Sequence, residues 1–204
     1  MIIKRFVGGT LESNGYVIST KGCNDCYIID PGYNSHRFID YVKENELNPL
    51  GILFTHHHYD HITAAPKVAE ELECKMYIHK NDFDPACKTL KKASENLEFF
   101  DSNHIFKLGN IEIEAINTQG HTRGGVCFVD WKENIAFTGD TVFSTEIGIT
   151  DLEDGSSDDM AKSCKMIATW PKGMKIYPGH GDSTTINDII KNNPEFDFAC
   201  KMEI

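Results

Sequence analysis

The chain has 204 residues, 40 % of them hydrophobic and 25 % charged, which excludes a disordered tail, a collagen and a coiled coil. A chain of this length buries roughly 70 % of its unfolded surface, and no apolar run approaches the roughly 18 residues that span a bilayer. Twenty Lys and Arg against thirty-one Asp and Glu leave a net charge of -11, which repels nucleic-acid backbones and anionic membrane surfaces alike.

Residues 2–7, 16–19 and 26–30 read as three strands, the second and third joined by the turn-rich stretch 20–25. Asp30-Pro31-Gly32 breaks the third. Phe38, Ile39, Tyr41 and Val42 recur at helical spacing within 35–45, with Asn34 or Ser35 as the cap. Gly51 to Thr55 is a short apolar run that suits a central strand covered on both faces. A helix is expected over 63–73 and a strand over 75–79. A further helix is expected over 88–98, where Leu90, Ala93 and Leu97 share a face. Strands at 105–108 and 111–117 flank Gly109-Asn110, a two-residue hairpin turn, and 126–131 with 134–138 form another hairpin. Ser156 or Ser157 caps a helix reaching about Trp170, with Asp158 and Asp159 in its first turn. A strand at 174–177 and a helix at 184–193, stopped by Pro194, complete the chain. This order predicts two mixed or mostly antiparallel sheets with helices outside them, in one domain over 1–204.

The strongest local signal is Thr55-His56-His57-His58-Tyr59-Asp60-His61. In an extended segment alternate side chains share a face, so His56 and His58 point one way and His57 the other. Asp60 and His61 are adjacent, so a turn must re-aim one of them. Two clusters of ligands from one loop suggest two metals, since imidazole and carboxylate suit zinc and iron. His121, Asp140 and His180 each follow the end of a predicted strand, and each is preceded by a glycine that lets the backbone turn at the rim. Four strand ends on one edge of a sandwich can converge on one site.

The set His56-x-His58-x-Asp60-His61, His121, Asp140 and His180 resembles the metallo-β-lactamase superfamily. Four flanks resemble its glyoxalase II (hydroxyacylglutathione hydrolase-like) branch: Asp30-Pro31-Gly32, Thr118-Gln119-Gly120-His121-Thr122, Thr138-Gly139-Asp140-Thr141 and Pro178-Gly179-His180-Gly181. The resemblance covers nearly the whole chain. It implies an α+β fold, the four-layer αββα sandwich, with a dinuclear site at one edge. It also implies two divalent metal ions, zinc first, with iron or manganese as alternatives. One ion takes His56, His58 and His121, and the other takes Asp60, His61 and His180. Asp140 bridges both, and Asp30 braces the ligand loop from behind. Asp60 and Asp140 are the candidate catalytic residues.

The implied activity is hydrolysis of a small thioester by a metal-bridging hydroxide. A thiolate, with a pKa near 8.5, departs without a proton, whereas an amine or alkoxide usually needs a general acid; the motifs hold no dedicated one, with Asp60 or a metal-bound water as the alternative. The alternatives are a lactone, β-lactam or phosphoester substrate, or an iron-dependent redox reaction on the same fold. The glutathione-binding helical domain of longer glyoxalase II members has no counterpart in the ten residues after Pro194. Ile149 stands where short members often carry Arg in a Gly-Arg-Thr-Asp stretch, and Arg123 and Asp182 stand where proline is commoner. These departures predict weak recognition of the thiol half.

The remaining features read as structural. Met1 to Phe6 carries charge without a long apolar stretch after it, so it is not a secretory signal. Seven cysteines, an odd number, read as reduced thiols, and Cys23-x-x-Cys26 as ordinary strand residues. A cytoplasmic protein with a small-molecule substrate, and with neither nucleic-acid nor membrane partners, is expected; nothing here specifies an oligomeric state. His36, His57, His79 and His104 are expected to be structural or solvated, and Tyr59 to line the pocket mouth. Lys88, Lys91 and Lys92 form the one basic patch, a solvated helix face or an attractor for an anionic substrate.

Overall fold

The computed structural model describes all of residues 1–204. The first half builds one sheet from β1 (Ile2–Gly8), β2 (Ser13–Thr20), β3 (Cys23–Ile29), β4 (Asn48–Leu53), β5 (Met76–His79) and β6 (Leu97–Phe100), in that spatial order. Strands β1 to β3 pair antiparallel, and β3 to β6 pair parallel. The second half builds β7 (His104–Leu108), β8 (Ile111–Asn117), β9 (Val126–Asp130), β10 (Ile135–Gly139), β11 (Lys175–Pro178) and β12 (Thr184–Thr185). There β10–β11 is the parallel pair and the others are antiparallel. Helices α1 (Ser35–Glu44), α2 (Tyr59–Ile62), α3 (Ala65–Leu72) and α4 (Lys80–Leu90) belong to the first half, and α5 (Ser157–Ile167), α6 (Ile186–Asn192) and α7 (Pro194–Lys201) to the second.

Strand alternation explains the layering. On β3, Cys26 and Ile28 face the helices α1 and α3, while Tyr27 and Ile29 face the opposite sheet. On β9, Cys127 and Val129 face α5 and α7, while Val126 and Phe128 face the first sheet. Central strands buried on both faces therefore read as continuous apolar runs, and three apolar cores separate four layers. The αββα sandwich expected from the resemblance is the observed architecture. All seven cysteines are free; Cys26 lies in the core, where burial pushes its thiol up to about 12. No helix is long and apolar enough to cross a membrane.

Two segments differ from their expected form. The helix expected over 88–98 is the end of α4, a 3-10 turn over Lys91–Asn96 and strand β6. Leu97 pairs with Met76 of β5, so a sheet edge overrides the local helical spacing. Helix α4 itself escapes notice because Pro85 reads as a breaker, yet Asp82, Ala86 and Leu90 form a buried i, i+4, i+8 stripe. The helix expected over 184–193 is β12 and α6, and Pro194 opens α7 rather than ending the chain's structure. Proline suits the first turn, where its missing N–H costs nothing, and Asn193 caps the helix by accepting from the Phe196 N–H at 2.8 Å.

Candidate metal centre

The ends of β4, β8, β10 and β11 meet at one edge of the sandwich and carry the predicted ligands. Beyond β4 the chain bends at Thr55 and His56 and is extended again at His58, and the His56 and His58 rings lie 4.8 Å apart. The His57 ring lies 4.8 Å from that of His58 but outside the group of His56, His58 and His121, and its Nε2 meets Asp154 Oδ2 at 2.8 Å. The short helix α2 then turns Asp60 and His61 inward.

All seven predicted side chains come together. His56, His58 and His121 form one group of donor atoms within 4.8 Å of one another, and Asp60, His61 and His180 form another. His58 Nδ1 lies 2.8 Å from His121 Nε2, and His61 Nε2 lies 3.4 Å from His180 Nε2. Asp140 sits between the groups. Its Oδ2 is 3.5 Å from His121 and 3.3 Å from His180, and its Oδ1 is 3.4 Å from His61.

The tautomers follow from the outer hydrogen bonds. His121 Nδ1 meets the Ile149 carbonyl at 2.8 Å, His180 Nδ1 the Leu11 carbonyl at 2.9 Å, and His61 Nδ1 the Asp30 carboxylate at 3.2 Å. Each contact leaves Nε2 to face the centre. Asp30 is fully engaged behind the loop, accepting from the Thr55 N–H at 2.8 Å and the Thr55 hydroxyl at 2.6 Å.

Backbone conformation permits this convergence. Gly120 and Gly139 take positive φ, as expected for residues turning at the rim. Gly179 is needed for a different reason: a Cβ there would lie 2.0 Å from Asp140 Oδ1.

Charge completes the picture. Burial pushes His56 well below the usual imidazole range, and His58 down to about 4, so both are neutral donors at pH 7. Burial acts the same way on His61 and His180, but carboxylates outweigh it: Asp140, Asp30 and Asp60 hold His61 well above its ordinary value, and Asp140 and Asp60 hold His180 at about 10. Conversely, His partners overcome burial to keep Asp60 and Asp140 below the usual carboxylate range. The carboxylates thus call for positive charge at their centre, from protons or from cations. Asp140 Oδ1 and His56 Nε2 are buried and lack any hydrogen-bond partner. Such atoms are costly unless something coordinates them, and a nitrogen–oxygen donor set of this kind suits divalent ions.

Three supports escaped sequence reading. Asp82 of α4 is buried, and its carboxylate accepts from the His57 N–H at 3.1 Å, the Thr122 hydroxyl at 2.8 Å and the Gly124 N–H at 2.6 Å. It therefore clasps the loop before α2 to the loop bearing His121. Its place in the inward stripe of α4 is the one sequence signal it leaves. From β2, Asn14 and Tyr16 donate to the Pro178 carbonyl at 2.9 and 2.6 Å, tying the His180 turn to the other sheet. Asn193 donates to the Phe143 and Glu146 carbonyls at 3.2 and 2.7 Å, fixing one wall of a cleft of about 730 Å³ above the donors. Tyr59 lines that cleft, as expected, and Lys88, Lys91 and Lys92 do not. His36 and His104 are exposed, and His79 meets the Ser102 hydroxyl at 3.0 Å.

Known proteins resemble this chain in sequence and fold. Probable metallo-hydrolase YqgX of Bacillus subtilis is 29 % identical over 203 residues, covering 94 % of this chain and 95 % of its own. The BLEG-1 B3 metallo-beta-lactamase structure superposes with a TM-score of 0.85 at 28 % identity, over 96 % of this chain and 99 % of its own. TTHA1623 in a di-iron-bound form superposes with a TM-score of 0.81 at 25 % identity, over 94 % and 98 %. Residues 8–180 match the family description Metallo-beta-lactamase superfamily, and the chain belongs to that superfamily.

Proposed function

We propose that the protein is a dinuclear metal hydrolase that cleaves a small thioester in the manner of glyoxalase II. The observation that carries this reading is Asp140, whose carboxylate lies between two three-residue donor groups at the floor of an open cleft. His56, His58 and His121 would hold one ion, Asp60, His61 and His180 the other, and Asp140 both. A pair of divalent ions supplies an activated water at neutral pH and polarises a carbonyl oxygen. Zinc or iron suits the donor set.

The chain's own residues orient the rest. The Leu11 and Ile149 carbonyls and Asp30 fix His180, His121 and His61 with Nε2 inward. The ionised Asp60 and Asp140 act as ligands rather than proton donors. Outside the donor groups, Tyr59 and Glu146 are the only ionisable side chains lining the cleft. A shortage of general acids favours a leaving group that departs as an anion, and a thiolate does so at neutral pH. A β-lactam is the second reading, favoured by the likeness to BLEG-1. Metal analysis of purified protein with a panel of thioester, lactone, β-lactam and phosphodiester tests both. Two metals per chain and thioester turnover are expected. One tight metal, or turnover confined to another substrate class, overturns the thioester reading.

A further inference from the structure

The cleft above the donor groups is unusual in its charge. No Lys or Arg lines it, and its only charged side chain outside the donors is Glu146. Its lip is apolar: Leu11 is 49 % exposed, Tyr59 54 %, Ile149 58 % and Leu152 41 %. Phe143 adds an aromatic wall. Large apolar side chains left in solvent around one opening mark a surface that is covered in use. The basic residues Lys88, Lys91 and Lys92 lie elsewhere, and the chain as a whole carries a net charge of -11.

This wall is built rather than loose. The Ile149 carbonyl meets His121 Nδ1 at 2.8 Å, so the backbone of Ile149 is tied to a donor residue. Asp154 meets His57 at 2.8 Å, which anchors the segment carrying Leu152. Asn193 holds the turn bearing Phe143 and Glu146 through two hydrogen bonds. A fixed apolar wall selects by what it can cover.

We infer that this cleft selects esters or thioesters with uncharged, apolar arms and rejects anionic thiol carriers. The inference rests on the hydrolase reading only in treating the cleft as the substrate site. A carrier such as glutathione brings carboxylates toward Glu146 with no Lys or Arg in the lining to meet them. An alkyl or aryl arm instead leaves water against Leu11, Tyr59, Ile149 and Leu152.

Binding of inert thioethers to the metal-loaded protein tests this, by calorimetry. S-hexyl-N-acetylcysteamine should bind at least tenfold more tightly than S-hexylglutathione. In the neutral series, butyl to octyl, affinity should rise roughly two- to fourfold per methylene until the wall is covered. Ile149→Arg should narrow the neutral-to-anionic ratio at least fivefold, and Leu152→Asp should weaken the neutral ligand at least fivefold. Equal or tighter binding of the glutathione ligand, no dependence on chain length, or indifference to both substitutions overturns the inference. Turnover of the matching thioesters is read separately. Absent hydrolysis with the expected order of binding removes the thioesterase reading and leaves the inference standing; hydrolysis with the reverse order does the opposite.

Discussion

Asp140 and His57 sit close to the same donors yet play opposite parts. Asp140 lies between both donor groups, so Asp140→Ala should strip both metals, measured as metal content after desalting. His57 faces Asp154 instead, so His57→Ala should retain near-normal metal content. It should also loosen the segment with Leu152, raising KM severalfold while kcat changes less. Equal metal loss in the two variants would break the assignment. Asp82 makes a different prediction. Burial raises its pKa, and two backbone N–H groups and a hydroxyl depend on its charge or shape. Asp82→Ala orphans buried donors at roughly 1 to 3 kcal/mol each, so a loss of about 3 kcal/mol is expected in chemical denaturation. A loss below about 1 kcal/mol would show that water replaces the carboxylate.

At the scale of elements, the joint between α6 and α7 reaches the cleft through one residue. Asn193 uses its Oδ1 to cap α7 and its Nδ2 to hold the Phe143–Glu146 turn. Asn193→Ala removes a buried cap and two partly buried hydrogen bonds, a loss of roughly 1 to 3 kcal/mol. Because the turn is a cleft wall, KM should rise more than kcat falls. Asn193→Asp keeps the cap acceptor and loses the donors, so it should recover part of the stability but not the KM. Identical kinetics for the two variants and the unaltered protein would show that the wall does not depend on α7.

For the whole molecule, the donor cluster couples stability to pH differently with and without metal, and the difference lies on the alkaline side. In protein stripped by chelator, the folded pKa of His180, about 10, exceeds its ordinary 6.5. Its contribution is therefore fully present below pH 6.5 and is lost as pH rises toward 10. His58 has a folded value of about 4, so its contribution is present above pH 6.5 and is lost as pH falls toward 4. Stripped protein should show its highest Tm near pH 6.5, falling on both sides. Metal-loaded protein should keep its Tm on the alkaline side, because ligation already requires His180 without its proton, and should lose metal on the acid side. Parallel Tm profiles for the two forms would mean that the cluster does not hold the metal.

The sequence by itself determined the donors, because their signals are local. His56-x-His58 and Asp60-His61 lie within six residues of one loop, and Gly120 and Gly139, both at positive φ, directly precede His121 and Asp140. The apolar run of β4 announced a strand covered on both faces, and β3 and β9 were expected as strands. Only the tertiary structure decided what surrounds those donors. Asn14 and Tyr16 reach Pro178 across more than 160 residues of chain, and His57 reaches Asp154 across 97. No periodicity encodes such pairs, since they exist only once two sheets have packed. The same holds for the segments that changed form: Leu97 became a strand because β5 offered a free edge, and Pro194 began a helix because Asn193 could cap it. The cleft's apolar, cation-free wall belongs to this second class, assembled from the β1–β2 turn, α2 and the connection between β10 and α5. Residue spacing could fix the chemistry of the floor; the choice of what lies on it was left to packing.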